Sequence, residues 1–209
     1  MIFEIPEKEV VKEMIRQLSS FFSISKEEAD IINTLSEQVF QRCDLCFSQN
    51  KNKYYSKNGE AYFNPYHSGQ YTVFLYYFSN TIFHKAKDNR TLADKVYYLN
   101  KIMNAIDLFY EVELPEVFML DHPVGSVIGR AKFGNHFSFT QNCTIGNNHN
   151  IFPVIGEHVT VSANSMILGN CNIGNNVILG AGTCIKDDDI PDNSVVFGSS
   201  PNLIIKKRS

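Results

Sequence analysis

The stretch Ile155-Gly156-Glu157-His158-Val159-Thr160-Val161-Ser162-Ala163-Asn164-Ser165-Met166-Ile167-Leu168-Gly169-Asn170-Cys171-Asn172-Ile173-Gly174 decides the fold. Its apolar residues fall neither on a helical nor on a simple strand period, but on every sixth position. The series 155, 161, 167 and 173 runs on to Leu179 and Ile185. Upstream, after a shift of two residues, Val127, Phe133, Phe139, Ile145 and Ile151 repeat it. Glycine follows the apolar residue at 134, 146, 156, 174 and 180, and small residues stand four places on at 131, 143, 165, 171 and 183. A six-residue period predicts a parallel β-helix, three hexads closing one triangular coil and all eleven marked residues pointing inward. Gly and Asn supply its turns because they tolerate positive φ. No coil can cover its own apolar face, so the coils stack. The repeat length predicts about three to four of them.

Ahead of this repeat the chain follows a different pattern. All ten tyrosines lie in 1–114 and ten of twelve glycines in 115–209, which places a domain boundary near 114. The first half reads as helices. Pro6-Glu7 opens one, with Val10, Val11, Met14, Ile15, Leu18, Phe21 and Phe22 on its apolar side. Ser25-Lys26-Glu27-Glu28 is a capping-box start for the next, whose face carries Ile31, Ile32, Leu35, Val39, Cys43 and Cys46. Residues 50–66 are expected to form a loop, with turns at Asn58-Gly59 and Asn64-Pro65. Two more helices are expected at roughly 69–87 and 91–108, the latter capped by Thr91. The fold class is therefore α+β, a helical domain over 1–114 followed by a β-helix over 115–209.

Composition narrows the function. The net charge is −3, from 19 basic and 22 acidic side chains without a long run of either sign, which argues against a nucleic-acid surface. The longest apolar run, Val73 to Phe78, is far too short to span a membrane. The N-terminus lacks the order of a secretory signal, so a cytoplasmic location is expected. Five cysteines do not suit a disulfide framework, and Cys43-x-x-Cys46 has no partner motif to complete a metal site. Both are read as buried apolar groups, and no metal is expected.

The segment Met119-Leu120-Asp121-His122-Pro123-Val124-Gly125-Ser126-Val127-Ile128-Gly129 resembles the active-site run of the hexapeptide-repeat acyltransferases, and among them serine O-acetyltransferase. Met166-Ile167-Leu168-Gly169-Asn170, Ile173-Gly174, Gly180-Ala181-Gly182-Thr183 and Gly198-Ser199-Ser200-Pro201-Asn202-Leu203-Ile204-Ile205 resemble later parts of that family. The resemblance covers about 118–205. It implies a left-handed β-helix and a homotrimer, pairing of trimers being left open, with acetyl-CoA as co-substrate between subunits. It further implies that the pantetheine arm passes Ala163, Ala181 and Gly182. Ser199 and Pro201 would then lie near the nucleotide, with Lys206 and its neighbours Lys207 and Arg208 toward the phosphates; a merely solvated tail is the alternative.

By the same resemblance His122 is the general base. A neutral imidazole suits the task because its pKa lies near working pH, and such a base contributes about two to four orders of magnitude in rate. Its carboxylate partner maps onto Asp107, with Glu113 and Glu116 as rivals, because the family's Asp-Ile-His-Pro reads Asp107-Leu108-Phe109-Tyr110 here. Asp121 matches an acceptor contact. The family's second histidine is replaced by Phe152, with His149 three residues earlier as a polar group that compensates or merely turns the chain. His67 and Gln70, within the polar and aromatic stretch 64–71, are further acceptor-contact candidates, against Ser68 as a simple helix cap. The expected activity is acetyl transfer from acetyl-CoA to a small acceptor hydroxyl. The acceptor is L-serine by resemblance, or a sugar for polysaccharide assembly by the loss of the second histidine. A non-catalytic β-helix scaffold is the reading from another class.

Overall fold

A computed structural model describes residues 1–208. The chain divides into two compact units, Met1–Asn104 and Ala105 onward. The division falls ten residues before the compositional shift near 114, because the chain already enters the β-helix there: Asp107–Leu108 is a strand paired in parallel with Val127–Ile128.

The first unit holds four helices, α1 (Glu7–Phe21), α2 (Lys26–Ser48), α3 (Ser68–Lys85) and α4 (Arg90–Asn104). α1 buries Val10, Val11, Met14 and Leu18, as its spacing predicts, while Phe21 remains exposed. At the start of α2 both halves of the capping box form: Glu28 N donates to Ser25 Oγ (3.1 Å) and Ser25 N to the Glu28 carboxylate (2.9 Å). α3 is buried from Gly69 to Ile82 and packs against α2 and α4. Its polar groups find partners: Asn100 Nδ2 donates to Thr72 O at 3.1 Å, and Arg42 donates to Thr81 Oγ1 at 2.8 Å. Cys43 and Cys46 are buried, and burial pushes the Cys43 thiol well up, so it packs as an apolar group.

Three local expectations are corrected. Residues 50–66 are not a plain loop: Ser56–Lys57 and Glu60–Phe63 form a hairpin, and the latter strand also pairs in parallel with Ile2–Phe3. The turn Asn58-Gly59 takes positive φ at both residues (55° and 81°), the geometry that matches strand twist. α4 begins at Arg90 rather than behind a Thr91 cap, and it stops at Asn104 rather than 108, with Ala105 at φ 50°.

The second unit is a parallel β-helix with three faces. The first face stacks strands 107–108, 127–128, 144–146, 166–168 and 184–186. The second stacks 118–120, 137–139, 160–161, 178–179 and 194–197, and is closed by the antiparallel strand Ile204–Lys207. The third stacks 132–133, 154–155 and 172–173, extended by a bridge from Ile173 to Ile190. The five strands on the first face make about five coils rather than three to four, because a coil precedes Val127.

The hexad residues line the interior with two exceptions. Ile145, Ile167 and Ile185 stack in register, as do Phe139, Val161 and Leu179, all buried. Each such side chain removed from water contributes about 1.5–3 kcal/mol. Val127 instead points outward at 45% exposure, and Ile128 takes the inward place opposite Ile145. Ile151 lies in an inserted turn and is 49% exposed.

The corners hold the coils in register. At one of them Gly125, Asn142, Asn164 and Gly182 all adopt positive φ, and Asn142 donates its side-chain amide to Asn164 at 3.1 Å. At another the same conformation falls to His136, His158, Asn176 and Asn193. The two imidazoles stack there with centroids 4.4 Å apart. Gly134, Gly156 and Gly174 mark places where successive coils nearly touch. A Cβ on Gly134 would lie 2.4 Å from the Gly156 carbonyl carbon. Gly134→Ala is therefore expected to lower stability by about 1–3 kcal/mol, read by chemical denaturation, through forced separation of two coils.

Candidate active site

The corner leading from the second face to the first is built from four residues at 140–143, 162–165 and 180–183, but from six at Asp121–Ser126. In that longer corner Gly125 (φ 76°) occupies the place the stack demands, its N–H donating to Ala105 O and Val124 O accepting from Asn142 N. His122 has a second positive φ, 48°, which the column of corners does not require. A strained residue outside the structural pattern is the type that marks functional sites. A tight turn from Val124 N to His122 O (2.8 Å) holds it, and its side chain is 88% exposed.

Of the three carboxylate partners, Asp107 lies closest in topology. Its N–H donates to Ser126 O at 2.9 Å, and its register partner is outward-facing Val127, so it sits on the first face at the exit of the His122 corner. Glu113 and Glu116 occur between strands 107–108 and 118–120, on the stretch that links the first face to the second. The carboxylate in contact with the ring is that of Asp121, with Oδ1 3.7 Å from His122 Nε2.

The positions assigned to acetyl-CoA share this corner. Ala163 lies in corner 162–165, Ala181 and Gly182 in corner 180–183, and Ser199 bridges onto Cys184 in the last coil. With strands about 4.8 Å apart, Gly182 lies roughly 14 Å and Ser199 roughly 19 Å along the stack from the His122 corner. Gly182 N donates to Ala163 O at 2.9 Å, and a Cβ at Gly182 would meet nothing within 4 Å. The track is thus lined by small residues with backbone open to a ligand, which fits an extended thiol arm. Pro201 is exposed beside Ser199. Lys206 belongs to strand 204–207, opposite Val195, with Nζ 5.9 Å from the Phe197 ring centre, and is exposed.

Other expected residues lie elsewhere. His149 and Asn150 (φ 51° and 62°) form a two-residue turn closed by reciprocal bonds between Asn148 and Ile151, so His149 turns the chain with its side chain exposed. Phe152 follows, 40% exposed, at the opposite edge of the first face from His122. His67 and Gln70 belong to the helical unit. Gln70 is fully buried, accepting from Asn64 N and donating to Tyr54 O, so it is not open to a substrate. His67, not Ser68, caps α3, its Nδ1 accepting from Gln70 N at 3.3 Å.

Thr140 carries no motif that would single it out. It lies next below Asp121 in the stack, Asp121 N donating to Phe139 O, and its buried Oγ1 has no hydrogen-bond partner. Among the described residues no group of three or more His, Cys, Asp or Glu is placed to hold a metal, and no helix is long and apolar enough to cross a membrane.

Comparison with known proteins follows the same lines. The family model "Bacterial transferase hexapeptide (six repeats)" matches residues 152–187. A serine acetyltransferase of Staphylococcus epidermidis is 29% identical over 136 residues, 62% of this chain and 63% of its own length. The matched part spans less than two thirds of the curated relatives. Among solved structures, Neisseria gonorrhoeae serine acetyltransferase superposes with a TM-score of 0.75 at 23% identity, covering 96% of this chain and 78% of that one. A serine acetyltransferase in complex with CoA superposes at 0.67 and 18% identity, covering 96% of this chain and 84% of that one. The chain thus has the serine acetyltransferase fold, and the hexapeptide-repeat resemblance holds over residues 152–187.

An unsatisfied buried hydroxyl costs about 1–3 kcal/mol. Thr140→Val is accordingly expected to leave stability unchanged or raise it by about 1 kcal/mol in urea titration. A loss of that size would show that the hydroxyl is bonded.

Proposed function

We propose that this protein is an acetyl-CoA-dependent O-acetyltransferase acting on a small hydroxylated acceptor. One observation carries the reading: the two-residue expansion of a single corner lifts His122 clear of the stack, in line with the small-residue track at Ala163, Ala181 and Gly182. When bound, acetyl-CoA supplies an acetyl group activated as a thioester.

His122 takes the acceptor's hydroxyl proton as the oxygen attacks, then returns it to the departing sulfur, so an ester forms as the thioester breaks. Asp121, and Asp107 from the strand beside the corner, orient the ring and stabilise its protonated form. Ser199, Pro201 and Lys206 lie toward the nucleotide, where an ammonium suits phosphate. A base working at 88% exposure would be surrounded by water. Moreover, one chain keeps His122 and Phe152 at opposite edges of the first face. Both points favour a homotrimer in which a neighbouring copy covers His122 and brings up its own Phe152. The five cysteines without a disulfide suit a reducing, cytoplasmic setting.

The serine acetyltransferase likeness points to L-serine as acceptor. Phe152 favours a second reading. A half-exposed ring with no charge does not pair with an amino-acid carboxylate but does pack on the C–H face of a sugar, as in a polysaccharide precursor.

Thiol release from acetyl-CoA, measured with a panel of amino acids and nucleotide sugars, is expected with at least one acceptor. His122→Ala should lower kcat by about two to four orders of magnitude while CoA still binds. Full turnover in that variant would remove the assigned base, and absence of transfer to every acceptor would favour a scaffold. Phe152→His is expected to raise kcat/KM for serine if the acceptor is an amino acid, and to leave it unchanged if it is a sugar.

A further inference from the structure

The edge between the first and third faces is crossed in three residues at 129–131, 169–171 and 187–189, but in seven at 147–153. The longer crossing carries His149 and Phe152. Its tip is a closed turn, with Asn148 N donating to Ile151 O (3.1 Å) and Ile151 N to Asn148 O (3.0 Å). Those two bonds shape the turn without fixing how it leans on the coils. A side chain does that: Asn148 Nδ2 donates to Asp187 Oδ2 at 2.5 Å.

Asn148 follows the third strand of the first face and Asp187 the fifth, so the bond passes over the coil between them. With strands about 4.8 Å apart, a side chain on that middle coil would stand in the way. Gly169 occupies the place, and a Cβ on it would lie 2.6 Å from Asn148 Cβ and 2.1 Å from Asp187 Oδ1. The bare glycine is what lets the third coil reach the fifth. Asp187 is itself held, its Oδ1 accepting from Asn170 N at 2.8 Å and its N–H donating to Leu168 O at 3.1 Å. The Asn170 bond keeps its carboxyl below the usual carboxylate range, and Asn148, Lys186 and His149 add to the effect. The acceptor in the bond from Asn148 is therefore an anchored anion, which makes the bond stronger than one between neutral groups. We infer that Asp187 is a positioning residue: through Asn148 it sets the lean of the 147–153 turn, and so the place at which the Phe152 ring meets the acceptor. This deepens the acetyltransferase reading and rests on it.

The test exchanges the two groups. Asn148→Asp sets two carboxylates against each other and should release the turn. Asn148→Asp combined with Asp187→Asn again faces an amide with a carboxylate, and leaves an oxygen for Asn170 N. Hydrogen–deuterium exchange of the full chain at neutral pH reads the turn without any turnover. The Ile151 amide should exchange about tenfold faster in Asn148→Asp and at the parent rate in the double variant. With the acceptor that supports the fastest thiol release, Asn148→Asp should lose about tenfold in kcat/KM for that acceptor, and the double variant should regain it. KM for acetyl-CoA and the urea midpoint should stay at the parent values in both. Asn172→Ala, which removes a similar bond to Asp189 (3.0 Å) on the third face, should exchange and turn over as the parent does. Unchanged Ile151 exchange in Asn148→Asp, no recovery in the double variant, or a freed turn with unaltered acceptor kcat/KM overturns the inference. A parent that transfers acetyl to no acceptor overturns it by another route, through the acetyltransferase reading, and is told apart because the exchange result stands without turnover.

Discussion

Every coil of the β-helix closes only if the backbone reverses at its corners, and that reversal requires a left-handed residue. For side chains other than glycine this conformation costs about 1–2 kcal/mol. Here it is accepted in register, at Gly125, Asn142, Asn164 and Gly182 along one edge and at His136, His158, Asn176 and Asn193 along another. The strain is offset by bonds that only stacked corners can make. Gly182 N reaches Ala163 O, Asn164 N reaches Gln141 O, and the asparagine side chains bond each other between coils. The last coil adds carboxylates to the same device. Asp187 accepts from Asn170 N, and this bond holds its carboxyl below the usual range.

The candidate active site arises where that rule is exceeded. The extra residues of Asp121–Ser126 leave the stacking position to Gly125 and give His122 a strained backbone of its own, facing solvent. Rigid coils below it then fix the spacing of Ala163, Ala181, Gly182 and Ser199 without any loop having to fold around a ligand. This track is pre-organised by the backbone, so the proposed binding of acetyl-CoA would not also have to order the protein.

The stacked interior was legible because its inward rows repeat at a constant interval, and Ile145, Ile167 and Ile185 stand where the interval puts them. The interval failed where a corner or turn changed length. The long His122 corner hands the inward place from Val127 to Ile128, and the His149-Asn150 turn expels Ile151. The first coil was hidden because its third side is the irregular stretch 109–117 rather than a hexad, so 107–108 read as the end of a helix. In the helical unit, Ile2–Phe3 and Ser56–Lys57 are two residues each, and Glu60–Phe63 buries alternate residues over only four, too short a run for its period to show. The His122 segment was legible by resemblance, whereas the contact with Asp121 and the orphaned Thr140 hydroxyl depend on side-chain placement. Gln70 was misread because a buried amide joining two backbone segments has the same letter as one that meets a substrate.

The most direct measurement is a crystal structure of the full chain with CoA. The account predicts a trimer with the thiol beside the His122 imidazole and the arm running past Ala163 and Gly182 toward Ser199. CoA bound on another face, or a monomer with His122 open to solvent on all sides, would contradict it.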